Sequence, residues 1–429
     1  MKNRRQESAS SRVLQTNPSS TRFSQTNRVA SRRSHSQRFR DSTDFLRYAE
    51  ERGTQNVVLK TSRDAATISV VMPVGDVPIS FLKEAVESVL NQTFRDFEFI
   101  IVDDGATKEC RKYLESLIDE RVRIIRNPEN LGVTKSLNIG FRAAQGKYIA
   151  RMDADDVCMP DRFQKQFDFM ENHPSAIACG TVAELIGDGR GLSGFGGNIS
   201  DMESYRIRTV FQNPGPYHST AFFNLELLLR YNLSYDESLP CSQDYGIYTE
   251  IARHGDIFIL PEPSLYYRVH SRQTSATRRK TQMRCSQAIQ KKLLGEFFGE
   301  DVSDEELELH CRCSSIYYDN ANINEDVLKW YYRLIKANNR ARIYDRKKFN
   351  REVYGILERL VHSSISPSMT LLQKTALFFR CLPFSMALKE TIAIGARKLA
   401  RERLPKWIVA PAPIESSTTV SVPTLGTEV

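Results

Sequence analysis

Two short acidic runs carry most of the chemistry this sequence offers, Asp103-Asp104-Gly105 and, further on, Asp153-Ala154-Asp155-Asp156. Carboxylates held this close repel one another unless a cation or a polar ligand lies between them. An Asp-x-Asp run of hard oxygen ligands suits magnesium or manganese, and such an ion would bridge to the phosphates of a nucleotide. It would also stabilise the charge that develops on a departing pyrophosphate. The plainer reading is that aspartates after strands form turns and cap helices, and one Asp-x-Asp does not separate the two. Loop histidines usually pack or face solvent; His270 is nonetheless a candidate diphosphate or metal contact, His218 a weaker one. His310, Cys311 and Cys313 offer at most three soft ligands where zinc normally takes four, so helix packing is expected there. The eight cysteines are scattered without a Cys-x-x-Cys pair, as thiols in a reducing compartment would be.

The acidic runs gain weight from the elements that must hold them. Residues 68–74 (ISVVMPV), 97–102, 122–126 and 147–152 are apolar, strand-like runs, while 80–91, 108–118 and 134–144 have helical apolar spacing. Strands alternating with helices imply a mainly parallel sheet with right-handed crossovers, in which ligands gather at the carboxyl ends of the strands. Asp103-Asp104 would end the second strand and Asp153 the fourth, so both clusters fall on one edge.

Several ordered motifs between residues 67 and 276 resemble the inverting family 2 glycosyltransferases with a GT-A fold. They are Val70-Val71-Met72-Pro73, Ser88-Val89-Leu90-Asn91-Gln92-Thr93-Phe94, Ile101-Val102-Asp103-Asp104-Gly105, and the run from Asn130-Leu131-Gly132 to Asn138. Gly146 to Asp156 follows, then Pro160, Arg162 and Gln166, Tyr217-His218-Ser219-Thr220-Ala221, Gln243-Asp244-Tyr245, Leu260-Pro261-Glu262-Pro263 and Tyr267-Arg268-Val269-His270. The resemblance implies a donor nucleotide held by Pro73 and Val74, with Asp104 on the base edge and Lys135 and Asn138 within reach. It implies Asp153 at the ribose or the metal, Asp155 on a Mn2+ or Mg2+ ion, and Asp244 as the base that deprotonates an acceptor hydroxyl. The implied reaction is hexosyl or N-acetylhexosaminyl transfer from a nucleotide-diphosphate sugar to a glycan, lipid or protein acceptor. Two positions depart from the pattern: Pro73-Val74-Gly75-Asp76 lacks the family's tyrosine, and Gln243 stands where a glutamate is usual.

Charge is distributed unevenly. The 429 residues carry 60 Lys and Arg against 52 Asp and Glu, a net +8. Residues 1–40 alone hold ten cations and one glutamate, and residues 368–408 hold eight cations and two glutamates. The body between is therefore mildly acidic. Residues 1–60 read as a disordered basic tail and linker, 67–276 as the catalytic domain, 277–408 as a helical region and 409–429 as a flexible tail. Helical spacing marks 283–298, 305–318, 326–336, 349–361 and 370–389, whose aromatic residues are expected to pack in a core. The Gly-rich run 187–197 lacks the ending of a phosphate loop and reads as a connection. The basic stretch ending at Trp407 fits peripheral attachment to an anionic membrane, or a helix packed on the core. A cytoplasmic location is expected, with the cytoplasmic face of a membrane as an alternative and an organelle transit peptide open, since no apolar run suits a signal or a span. Alternative functions are a catalytically impaired sugar-nucleotide-binding scaffold, or a nucleic-acid or phosphate-binding protein acting through the basic tail. The folded part has no RNA-recognition motif or zinc-finger spacing. A sugar nucleotidyltransferase is disfavoured by the missing Gly-rich opening loop.

Overall fold

The computed structural model describes residues 66–189, 191–193, 201–314 and 325–364. The tail and linker, the helix expected over 370–389, the basic stretch 368–408, the tail 409–429 and part of the Gly-rich run lie outside the described residues.

The chain enters through β1 (Ile68–Val74), whose seven residues are all buried, as a strand covered on both faces requires. Helix α1 (Ile79–Leu90) returns over the sheet on Leu82, Ala85, Val86 and Val89. Strand β2 (Phe97–Asp103), helix α2 (Lys108–Glu115), strand β3 (Val122–Arg126), helix α3 (Val133–Ala143) and strand β4 (Tyr148–Arg151) complete the alternation. Helix α2 stops three residues before the expected Ile118, which is fully exposed. Asp119 there accepts the backbone N–H of Arg121 and pairs with its guanidinium, turning the chain into β3.

After β5 (Val157–Cys158) come helix α4 (Arg162–Asn172) and strands β6 (Ala176–Thr181), β7 (Ala183–Gly187) and β8 (Gly191–Ser193). The described part of the Gly-rich run is the end of this β7–β8 hairpin. Helix α5 (Met202–Thr209), strand β9 (Phe222–Asn224), helices α6 (Leu225–Arg230) and α7 (Gln243–His254), and strands β10 (Asp256–Leu260) and β11 (Leu265–Val269) follow.

Seven strands form one sheet in the order β10-β6-β9-β4-β1-β2-β3. All neighbouring pairs are parallel except those of β9, which runs antiparallel between β4 and β6. A second sheet, β5-β11-β7-β8, pairs Leu265 with Cys158 and Tyr266 with Val157. That short antiparallel pairing brings the end of β11 beside the acidic loop that follows β4. The fold is the expected mainly parallel sheet flanked by helices and followed by a helical region.

The later helices are α8 (Thr274–Thr277), α9 (Arg279–Phe298), α10 (Asp304–Ser314), α11 (Glu325–Ala341) and α12 (Arg346–Ser364). Their core joins Leu294, Phe297, Trp330, Tyr331, Leu334 and Phe349 to Ile207, Val210 and Phe211 in and after α5. Arg208 on α5 also pairs with Glu352 on α12 at 2.7 Å. His310 takes the expected packing role: Nε2 lies 2.9 Å from the Val210 carbonyl and Nδ1 accepts the Trp330 indole N–H at 3.0 Å. Burial pushes its imidazole down to about 4, so it is neutral at pH 7. Cys311 donates to Gln290 at 2.9 Å, and all seven described cysteines are buried and unpaired by disulfides. No described helix is long and apolar enough to cross a membrane.

Close approach of α3 to β1 depends on Gly140. A Cβ there would stand 2.3 Å from Cγ1 of Val71. Gly140→Ala is expected to destabilise the protein by about 1–3 kcal/mol through overpacking, measured by urea unfolding.

Candidate active site

The two acidic clusters have different environments. Asp103 is wholly buried, accepts from the Ala106 N–H at 2.9 Å and pairs with Arg111 at 3.0 Å and Arg126 at 2.8 Å, so it ties β2 to α2 and β3. Asp104 accepts from Asn127 Nδ2 at 2.8 Å and from the N–H groups of Leu131 and Gly132 at 2.7 and 2.9 Å. Three of its roughly four acceptor positions are thereby taken in holding the loop before α3. The Asp104 N–H in turn donates to the Val74 carbonyl at 2.8 Å, fixing the ends of β1 and β2, with Pro73 and Val74 in the strand beside it. Lys135 is exposed on α3. Asn138 is buried and faces the protein: its amide donates to the Tyr235 carbonyl and Glu237 and accepts from the Tyr235 N–H, at 2.9, 3.0 and 3.1 Å.

The loop after β4 is a different site. Ligand oxygens of Asp153, Asp155 and Asp156 all lie within 4.8 Å of one another, the one such group of His, Cys and acidic residues among those described. Both oxygens of Asp153 face the buried Arg151 guanidinium. The Ser219 hydroxyl accepts from Arg151 at 3.0 Å and stands 2.6 Å from Asp153 and 2.5 Å from Asp156. One hydroxyl proton cannot serve both carboxylates. Burial and the charges of Asp155 and Asp153 push the Asp156 carboxyl well above its usual range.

Strand β11 closes the loop from outside. The Arg268 N–H donates to Asp156 at 2.8 Å and its Nε to the Asp155 carbonyl at 2.8 Å, while the guanidinium lies over Phe81. His270 Nε2 is 3.0 Å from Asp155 Oδ2, and its backbone N–H donates to Gln273 at 2.7 Å. Burial, then the charge of Asp153, raises the Asp155 carboxyl above its ordinary value, against the lowering effects of His270 and Arg151. The donor set is hard oxygen with one imidazole nitrogen, and it fits manganese or magnesium. His218 is not part of it. Its Nε2 lies 2.7 Å from the Tyr235 hydroxyl, and burial beside Arg151 keeps it neutral.

Asp244 lies in the first turn of α7, partly buried, and accepts from Asn213 Nδ2 at 2.8 Å. Burial raises its carboxyl, against the lowering effects of helix N-terminal amides, Arg151 and Asn213. Ser242 before it is left-handed at φ 54°, and its hydroxyl meets the Gln282 carbonyl at 3.1 Å and Ser286 at 3.0 Å on α9. Burial, with the Asp244 charge adding to it, raises the hydroxyls of Tyr205 and Tyr248, which have no hydrogen-bond partner among the described residues. A partly buried carboxyl with raised proton affinity, at a helix N-terminus, is equipped to accept a proton from a bound hydroxyl.

Residues 69–225 match the sequence family described as Glycosyl transferase family 2. A glycosyltransferase of Methanocaldococcus jannaschii is 34% identical over 232 residues, which cover 51% of this chain and 76% of that protein. The chain belongs to glycosyltransferase family 2. A Haemophilus influenzae glycosyltransferase is 30% identical over 213 residues, 46% of this chain and 64% of its own length, just under two thirds. Staphylococcus aureus TarS, solved with UDP-GlcNAc, is a more distant likeness: 14% identity, a TM-score of 0.45, 72% of this chain and 83% of that one.

Within this glycosyltransferase, four residues acquire roles that spacing did not disclose. Arg151, Ser219 and Arg162 sit inside the quoted motifs, so motif position was the available signal. Asn213 had none. Arg162 is wholly buried and forms no ion pair among the described residues. Its guanidinium donates to the Arg151 carbonyl at 2.8 Å, to Cys158 Sγ at 3.1 Å and to Gln166 at 2.9 Å, thereby holding both ends of the acidic loop. Gln166 passes the contact on to the Thr220 carbonyl at 2.7 Å, one residue past Ser219. Gln92 braces the same segment through the Met159 carbonyl and the Phe163 N–H. Arg162→Leu leaves the buried carbonyl without its donor and is expected to cost about 1–3 kcal/mol, read by thermal melting.

Proposed function

We propose that the chain transfers a hexosyl or N-acetylhexosaminyl group, with inversion, from a nucleotide-diphosphate sugar to a hydroxyl acceptor. The carrying observation is the juxtaposition of Asp153, Asp155 and His270 at the carboxyl end of β4, where the ligands of a parallel sheet gather. Asp155 and His270 would hold a Mn2+ or Mg2+ ion, with Asp153 beside it as a further ligand or a ribose contact. The ion, when bound, supplies positive charge to the diphosphate as it departs. Pro73, Val74 and the remaining acceptor position of Asp104 are proposed to line the nucleotide base, with Lys135 toward the phosphates. Asn138 would contribute indirectly, by fixing α3 against residues 235–237.

Asp244 is proposed as the general base. The acceptor oxygen attacks the anomeric carbon from the face opposite the nucleotide and passes its proton to the Asp244 carboxylate as the bond to the diphosphate breaks. No covalent enzyme intermediate is required. The raised Asp244 carboxyl supports this role because a base whose affinity lies nearer the working pH transfers protons more effectively. Gln243, buried beside it, adds no second negative charge. The acceptor is proposed to be a glycan, lipid or protein hydroxyl.

The test is a panel of nucleotide sugars, including UDP-GlcNAc and GDP-mannose, scored for hydrolysis and transfer with Mn2+ or Mg2+ and after chelation. Asp244→Asn is expected to lower kcat by roughly 10²- to 10⁴-fold with little change in donor KM. Only the ionised base is competent, so kcat should rise with pH through a limb above the ordinary carboxylate range and fall away below it. Full transfer by Asp244→Asn, or no donor binding with either metal, overturns the reading.

A further inference from the structure

The segment that bears on Asp244 from outside its helix is Asn213-Pro214-Gly215-Pro216. Both ends of the Asn213 amide are engaged: Nδ2 donates to Asp244 Oδ2 at 2.8 Å, and Oδ1 accepts the Gly215 N–H at 3.0 Å. The second bond fixes which way the amide points, and two prolines restrict the backbone around it. Gly215 lies against Tyr248, one turn past Asp244 on α7. A Cβ on Gly215 would stand 2.1 Å from the Tyr248 ring and 3.0 Å from Asn213 Oδ1. The loop and the first turn of α7 therefore interlock through Asn213, Gly215 and Tyr248.

We propose that Asn213 is a positioning residue for Asp244, holding one carboxylate oxygen so that the other is left for the acceptor hydroxyl. This rests on the reading of Asp244 as the base. Arg151 at the end of β4 is the charged group that acts on that carboxylate, and the neutral titratable groups facing it, whose protons its charge helps retain, are Tyr205 on α5, Tyr235, Cys241 and, on its own helix, Tyr248. Among the described residues, Asn213 is the one side chain that donates a hydrogen bond to it. A donor to the ionised carboxylate favours that form, so its removal raises the proton affinity of the base as well as freeing its rotation.

Asn213→Asp is nearly isosteric, keeps the acceptor for the Gly215 N–H and replaces the donor by a negative charge. Asn213→Ala removes both contacts and Asn213→Ser keeps a short donor. Each is assayed in the full chain with Mn2+ and whichever of UDP-GlcNAc or GDP-mannose supports turnover, alongside Asp244→Asn and a thermal melt. The expected result is a kcat loss of roughly tenfold or more for the Asp and Ala variants, with donor KM unchanged and Asn213→Ser less affected. The acid limb of the pH profile should move to higher pH, furthest for Asn213→Asp, where a like charge adds to the lost donor. If Asp244→Asn is inactive while kcat and the pH profile are unchanged in the Asp and Ala variants, Asn213 has no such role and the base reading stands. A kcat loss that tracks a lower Tm with an unmoved pH limb assigns Asn213 to the fold alone and also overturns the proposal. Full transfer by Asp244→Asn removes the base reading first.

Discussion

Three carboxylates whose oxygens lie within 4.8 Å cannot share the end of one strand on their own. Much of the surrounding architecture answers that repulsion. Arg151, the last residue of β4, is buried beneath the loop and faces both oxygens of Asp153, with Ser219 linking it to Asp156. The Arg268 N–H caps Asp156, and His270 meets Asp155. These contacts fix the loop from within the protein, so the proposed ion would have little chain entropy left to offset. Arg151 also separates the roles of the aspartates. Its guanidinium faces Asp153, and Asp155 with His270 are the contacts proposed for a cation.

The opposite side of the site depends on the helical region. The first turn of α7 and the residues just before it pack on α9 through Leu239, Cys241, Tyr245, Cys285, Ile289 and Leu293. Ser242 sits there in a left-handed conformation that costs about 1–2 kcal/mol for a residue with a Cβ. Its contacts with Gln282 and Ser286 offset that strain. Helix α5 belongs to both parts: Tyr205 lies near Asp244, while Ile207 enters the core formed with α9, α11 and α12. The later helices therefore brace the candidate base.

The alternation of β1 to β4 with α1 to α3 was legible because each element carries its own period: 2 or continuous for strands, 3.6 for helices. The acidic runs were legible for the same local reason. Much else was not. Strand β9, three residues long, is stabilised by neighbours on both sides rather than by its own pattern. The β5–β11 pairing involves two residues of β5, and it brings together Asp155 and His270, which are 115 positions apart. Asn138 and Asp104 have residue types suited to a donor contact, yet the first spends its amide on Tyr235 and Glu237 and the second most of its carboxylate on the loop before α3. Nothing in spacing distinguishes a polar group aimed at a ligand from one satisfied within the protein.

By itself, the sequence determined the family, the parallel sheet and the strand ends that carry acid, because these follow from periodicity and from motifs contiguous in the chain. It also located the positive charge at the two ends, apart from a mildly acidic body. Tertiary structure decided which carboxylates face one another, which are already spoken for, and which neighbours adjust their protons. Those properties depend on distances of a few ångströms between residues far apart in the chain, and on burial, which strengthens each charge interaction as water is excluded. Asn213 illustrates the difference: in the sequence it is one polar residue before a proline, and in the fold it is the side chain that donates to Asp244.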